Sequence, residues 1–217
     1  MTGSIWRNPT FLRVFSAATV SIFGSLVTRT ALPFAAILVL GAGPGEVAAI
    51  RAFEIVGGVA IGLVAGAWVD RLPRRPVMIA ADLGRAVCLG SIPVAAIGGW
   101  LSIAQLIVVA FLASILTTFH NVADRAYLPT VIDRDQLVSA NSALSASGSV
   151  AEVSAFSLGG VLVQVLTAPI AIAVDAISFV VSALILGSIR RPEAPPTAAI
   201  RPIVAGCRPS SSVANTR

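Results

Sequence analysis

The run Gly66-Ala67-Trp68-Val69-Asp70-Arg71-Leu72-Pro73-Arg74-Arg75-Pro76 is a short arginine-rich connection between two long apolar stretches. Few folds accept that arrangement. A chain that crosses an apolar medium, turns and crosses back must keep its cations in water on one side. Composition agrees, with 56% hydrophobic and only 12% charged residues, about half the charge of an ordinary soluble domain. Several stretches exceed the roughly 18 apolar residues that mark a spanning helix. The expected class is therefore an all-α membrane protein in contact with the lipid bilayer. The net charge of +5 comes entirely from arginine, and its placement argues against nucleic acid as a partner. Cys88 lies in an apolar segment and Cys207 in the tail, which is neither a disulfide framework nor a metal spacing. No cleavable signal peptide is expected, because the first apolar run starts late and is too long for an h-region.

Six transmembrane helices are expected. They run from about Val14 to Leu40, Glu46 to Val69, Val77 to Ile97, Leu101 to Ala123, Leu137 to Leu166 and Ile170 to Ile189. Turns at Gly41-Ala42-Gly43-Pro44-Gly45, Gly98-Gly99-Trp100 and Thr167-Ala168-Pro169 separate three of the pairs. A polar stretch from Asp124 to Gln136 separates the fourth span from the fifth. The domain plan is a cytoplasmic N-terminus over residues 1–10, a six-helix transmembrane domain over 11–189, and a tail over 190–217. The tail is rich in Pro and Arg, lacks apolar periodicity and reads as disordered.

Arginine placement sets the orientation. Arg7, Arg13, Arg71, Arg74, Arg75, Arg125 and Arg134, with the five arginines of the tail, fall on one side, and the three opposite turns carry none. Both termini are therefore expected in the cytoplasm.

The other arginines, Arg29, Arg51 and Arg85, sit inside apolar segments with Glu54, Asp82, Glu152, Asp175 and His120. A charge at mid-membrane costs at least about 2.5–3.5 kcal/mol, so such residues face a bundle interior or a watery cavity. Arg51 with Glu54, and Asp82 with Arg85, have the i,i+3 spacing of a helical ion pair. Neutralised packing pairs are one role open to them. Arg29, Glu54 and Asp175 count into the outer halves of their spans, where they either line a substrate- or proton-binding cavity or serve structure alone. His120 reads as a packed, hydrogen-bonded residue. Gly58, Gly62 and Gly66 recur every fourth position, a spacing that admits a close helix neighbour. Gly159 and Gly160 provide a similar small surface on the fifth span.

The segment from Gly66 to Arg75 resembles the loop signature G-x-x-x-D-R-x-G-R-R of the major facilitator superfamily, with Pro73 in place of the usual glycine. Further stretches are similar to the drug, macrolide and siderophore exporter branch. They are Gly24-Ser25-Leu26-Val27-Thr28-Arg29-Thr30-Ala31-Leu32-Pro33, Ala126-Tyr127-Leu128-Pro129, Ala140-Asn141-Ser142 and Val174-Asp175-Ala176-Ile177-Ser178-Phe179. The resemblance covers about Phe11 to Glu193, the N-terminal half of such a protein. It implies an inverted 3+3 helix repeat, which Arg29-Thr30-Ala31-Leu32-Pro33 and Arg125-Ala126-Tyr127-Leu128-Pro129 faintly echo. It also implies a conformational latch made of Gly66, Asp70, Arg71, Arg74 and Arg75, with Asp70 meeting the N-terminal dipole of a helix in the other half. The antiporter pattern G-P-x-x-G-G is reduced to its final glycines, Gly159 and Gly160, which weakens the inference of proton antiport. The change of composition after Glu193 reads as a frameshift or early stop.

The resemblance implies a transporter of the bacterial plasma membrane that exports small amphipathic molecules by alternating access. As a half-length or truncated form, it would work with a second six-helix half or as a homodimer. The alternatives are a non-transporting remnant and a regulatory membrane subunit. An enzyme is not expected, since no nucleophile-base set or metal-ligand spacing occurs and there is one histidine. No cofactor and no metal are expected.

Overall fold

The computed structural model describes residues 5–69, 71–132 and 136–189, with side chains for all of these except Leu63 and residues 155–166. Asp70, Arg134 and the tail over 190–217 lie outside the described residues. A 3-10 turn at Ile5–Arg7 leads into six α-helices: α1 Pro9–Leu40, α2 Pro44–Val69, α3 Arg74–Gly98, α4 Ile103–Val131, α5 Leu137–Leu166 and α6 Ala168–Gly187. Among the described residues there is no strand. Among the described residues, four of the helices, α1, α3, α4 and α6, are long and apolar enough to cross a membrane.

Local chemistry sets several helix ends. α1 starts at Pro9, ahead of the apolar run, because the Asn8 side chain accepts the Thr10 and Phe11 amides at 3.0 and 3.4 Å. Proline at the first helical position needs no amide partner. α1 ends at Gly41 and α3 at Gly99, both left-handed with φ of 65° and 73°, the conformation glycine adopts without a Cβ penalty. Ser102 caps α4 by accepting the Gln105 amide at 3.2 Å.

Two expected boundaries are corrected. α4 continues through Asp124 and Arg125 to Val131, where a polar connection was expected. Hydropathy falls after Ala123, but Ala123, Tyr127, Leu128 and Val131 return to one buried face at helical spacing and pack into the core. α3 likewise begins at Arg74, so Arg74 and Arg75 form its first turn rather than a loop.

The helices pack in the order α5, α1, α6, α3, α4, α2. Exchanging α1, α2 and α3 for α4, α5 and α6 reverses this order and keeps every neighbouring pair, which is the symmetry a 3+3 repeat requires. α1 and α4 each carry an internal proline, Pro33 and Pro129. Two apolar clusters form the core. One gathers Phe11, Val14, Met78, Tyr127 and Leu186, and the other Ala31, Leu32, Ile92, Leu106 and Ile172. Ser21, Thr28, Asp82, Arg85, His120, Asp175 and Ser182 are buried polar residues among the described side chains.

Close approach of α2 to α4 occurs at Gly57, one position away from the glycines singled out by spacing. A Cβ on Gly57 would lie 2.7 Å from the Phe111 carbonyl oxygen, whereas at Gly58 and Gly62 it would meet Thr118 at 3.6 and 4.0 Å. At Gly66 it would meet nothing within 4 Å. One residue is a rotation of about 100° around a helix, so the four-residue repeat marks a face beside the contact and not its centre. The surroundings of Gly159 and Gly160 are outside the described side chains. Gly57→Val should destabilise the chain by about 1–3 kcal/mol through overpacking, and Gly66→Val should stay within about 0.5 kcal/mol. Unfolding of the two variants in detergent checks the contrast.

Candidate functional site

The buried charges assemble around Arg85. Its guanidinium pairs with Asp82 one turn earlier on α3; Asp82 is 0% and Arg85 2% exposed. From α4, His120 Nδ1 lies 2.9 Å from the same Asp82 oxygen. From α6, the Phe179 ring stacks under the Arg85 guanidinium at 4.1 Å to the centroid, a cation–π contact strengthened by desolvation. The Asp82–Arg85 pair thus joins α3, α4 and α6.

Asp175 of α6 is buried against α1. Thr28 donates its hydroxyl to Oδ2, and Ser178 donates to Oδ1 at 3.1 Å. Gly24 makes room for this: a Cβ there would overlap the Asp175 carboxylate and the Ser178 hydroxyl. Nothing in the sequence pattern singled out Gly24, since the residues it accommodates come from a helix far along the chain.

A second polar junction ties α2 to α1. Arg51 Nη1 donates to Glu54 Oε2 at 2.7 Å, and Nη2 donates to the backbone carbonyl of Arg29. That carbonyl would ordinarily accept the amide of the residue four positions on, which is Pro33 and has none. Arg51 therefore satisfies the backbone acceptor that Pro33 leaves open.

Several of these groups line a cavity of about 470 Å³. Arg29, Glu54 and Asp175, proposed from their places in the outer halves of apolar spans, all border it, as do Arg51 and Arg85. Hydroxyls from Thr28, Ser114, Thr117 and Thr118 and apolar surface from Leu26, Leu32, Ile55, Val59 and Leu89 complete the lining. A neighbouring void of about 380 Å³ shares Leu26, Arg29, Arg51, Glu54 and Ile55 and reaches Glu152 on α5. Mostly apolar walls with a few convergent polar groups suit a small amphipathic ligand. The α4 hydroxyls escaped the sequence reading, although Ser114, Thr117 and Thr118 at i, i+3 and i+4 share one helix face.

The latch residues are more dispersed. Gly66 lies near the end of α2, Asp70 lies outside the described residues, and Arg71 is exposed in the turn. Arg75 reaches α6, donating through Nε to the Leu186 carbonyl at 2.9 Å and through Nη2 to the Gly187 carbonyl at 2.6 Å. Arg13 adds a hydrogen bond to the Ser188 carbonyl at 3.1 Å. Two cations thus meet the open carbonyls and the negative end of the α6 dipole. Sequence reading missed Arg13, because its partner is distant in the chain.

A profile of the Major Facilitator Superfamily matches residues 14–216. Macrolide efflux protein A of Streptococcus pyogenes is 26% identical over 172 residues, covering 78% of this chain and 42% of the relative. The protein of the same name from Streptococcus pyogenes serotype M6 (strain ATCC BAA-946 / MGAS10394) matches to the same extent. The chain therefore spans about two fifths of the length of the curated relatives it matches.

Removing one member of the central pair should be costly. Asp82→Ala leaves Arg85 charged and buried and should destabilise the chain by about 3–5 kcal/mol, while Asp82→Leu with Arg85→Met should recover most of that loss. Unfolding of the single and double variants in detergent measures both.

Proposed function

The chain belongs to the Major Facilitator Superfamily, and on that premise we propose that it is one half of an exporter moving small amphipathic molecules across the bacterial plasma membrane. All six helices cross the bilayer in this reading. The shortest, α6, has 20 residues, about 30 Å of helix and enough for the hydrocarbon core. Both termini lie in the cytoplasm, a placement supported by the arginine distribution. Residues 1–10 and 190–217 are the cytoplasmic ends of the transmembrane domain.

The observation that carries the reading is the cavity. Arg29, Glu54 and Asp175 come from the middle parts of three helices and border one space with mixed apolar and polar walls. Substrate sites near the midplane, between two repeat units, are what alternating access requires. The names of the macrolide efflux relatives support export as the direction. α2 presents Phe53, Ile55, Val59 and Trp68 outward, each at least 47% exposed. A second six-helix unit would cover that face and close the cavity.

Gly66, Asp70, Arg71, Arg74 and Arg75 act as the conformational latch. Asp70 meets the N-terminus of a helix in the opposing half, where a carboxylate is favoured. The hold of Arg75 on α6 couples that loop to a helix of the cavity wall. Gly58 and Gly62 flank the α2–α4 contact made at Gly57, and Gly159 and Gly160 offer a small surface for a close neighbour on α5.

Accumulation of a fluorescent amphipathic dye tests this in bacteria lacking their main efflux pumps, with the chain expressed alone and with a matching second half. Expression should lower accumulation in at least one arrangement, and Asp70→Asn should reverse most of the effect at equal protein level. Unchanged efflux in that variant rejects the latch assignment. Accumulation equal to that of empty cells in both arrangements rejects transport and leaves a non-transporting or regulatory membrane subunit.

A further inference from the structure

Charge is compensated unevenly around the cavity. Arg85 is taken by Asp82, and Arg51 by Glu54 and the Arg29 carbonyl. Asp175 is 1% exposed and accepts from two hydroxyls. Arg29 differs. Its side chain is exposed and borders both voids, and among the described residues its guanidinium has no hydrogen-bond or ion-pair partner. Arg29 lies well inside α1, about 16 Å along the helix from its Leu40 end. Its backbone is held at the same point, where Arg51 grips the carbonyl that Pro33 leaves open. A positioned, uncompensated guanidinium beside apolar walls is built for an anion, because its planar donors match two oxygens of a carboxylate or phosphate.

We infer that Arg29 reads substrate charge, and that the cavity selects amphipathic molecules bearing one anionic group, a carboxylate, sulfonate or phosphate ester. The anion sits on the Arg29 guanidinium, and the apolar body lies along Leu26, Leu32, Ile55 and Val59. Glu152 borders only the neighbouring void, so an anion on the main-cavity side of Arg29 avoids it. The inference rests on the cavity being the substrate site proposed above.

The test uses the full chain in lipid nanodiscs, with empty nanodiscs as the blank. Three forms of one dansylated fatty amphipath are compared: free carboxylate, methyl ester and primary amine. The carboxylate should bind about tenfold more tightly than the ester, the scale of one charge-assisted hydrogen bond, and the amine should bind weakest. Arg29→Gln should abolish the preference, and Arg29→Lys should keep most of it. Equal affinities, an amine preference, or a preference that survives Arg29→Gln overturns the assignment and leaves the cavity as a binding site. Failure of all three probes to bind overturns both the assignment and the cavity reading. The comparison of probes on the unaltered chain and the Lys variant decides the matter even where the Gln variant does not fold.

Discussion

A full charge inside an apolar helical bundle is tolerated only with its counter-charge beside it, and Arg85 is where this bundle meets that condition. Its partner Asp82 is on the same helix, but the groups that complete the site are not: His120 comes from α4 and the Phe179 ring from α6. The three helices must assemble for the charge to be covered. Apolar packing alone is non-directional, so these buried polar contacts supply register that the apolar clusters lack.

The same economy of partners shapes the cavity wall. Pro33 removes an amide from α1, and the carbonyl it orphans is met by Arg51 from α2. Helices α1 and α2 otherwise touch sparingly, so this junction and the Arg51–Glu54 pair define how they stand beside the space between them. That space is thereby left open and polar on one side.

Legibility varied with the range of the interaction. The hairpin arginines, the apolar spans and the two i,i+3 ion pairs were readable because each is local: a period, a run or a one-turn spacing. α5 has the limits its sequence indicates, Leu137–Leu166. α4 overran its expected end because the burial of Tyr127 and Leu128 depends on neighbours from other helices. Gly57 and Gly24 were invisible for the same reason, since the need for a missing Cβ is decided by whichever side chain comes to lie against it. Arg75, read as a latch residue, turned out also to close the end of α6, a partnership between residues far apart in sequence.

What the amino-acid order determined by itself was the class: an apolar helical chain, with its cations gathered at one set of connections and a few charges marooned mid-helix. Those follow from hydropathy and spacing, which each segment carries alone. Which marooned charges neutralise one another and which face a cavity was decided only by the tertiary structure. Asp82 and Arg85 were drawn into the core, whereas Arg29 was left at the edge of an open space. The physical reason is that the energy of a charge depends on its surroundings within a few ångströms, and here those surroundings are supplied by helices that meet only on folding.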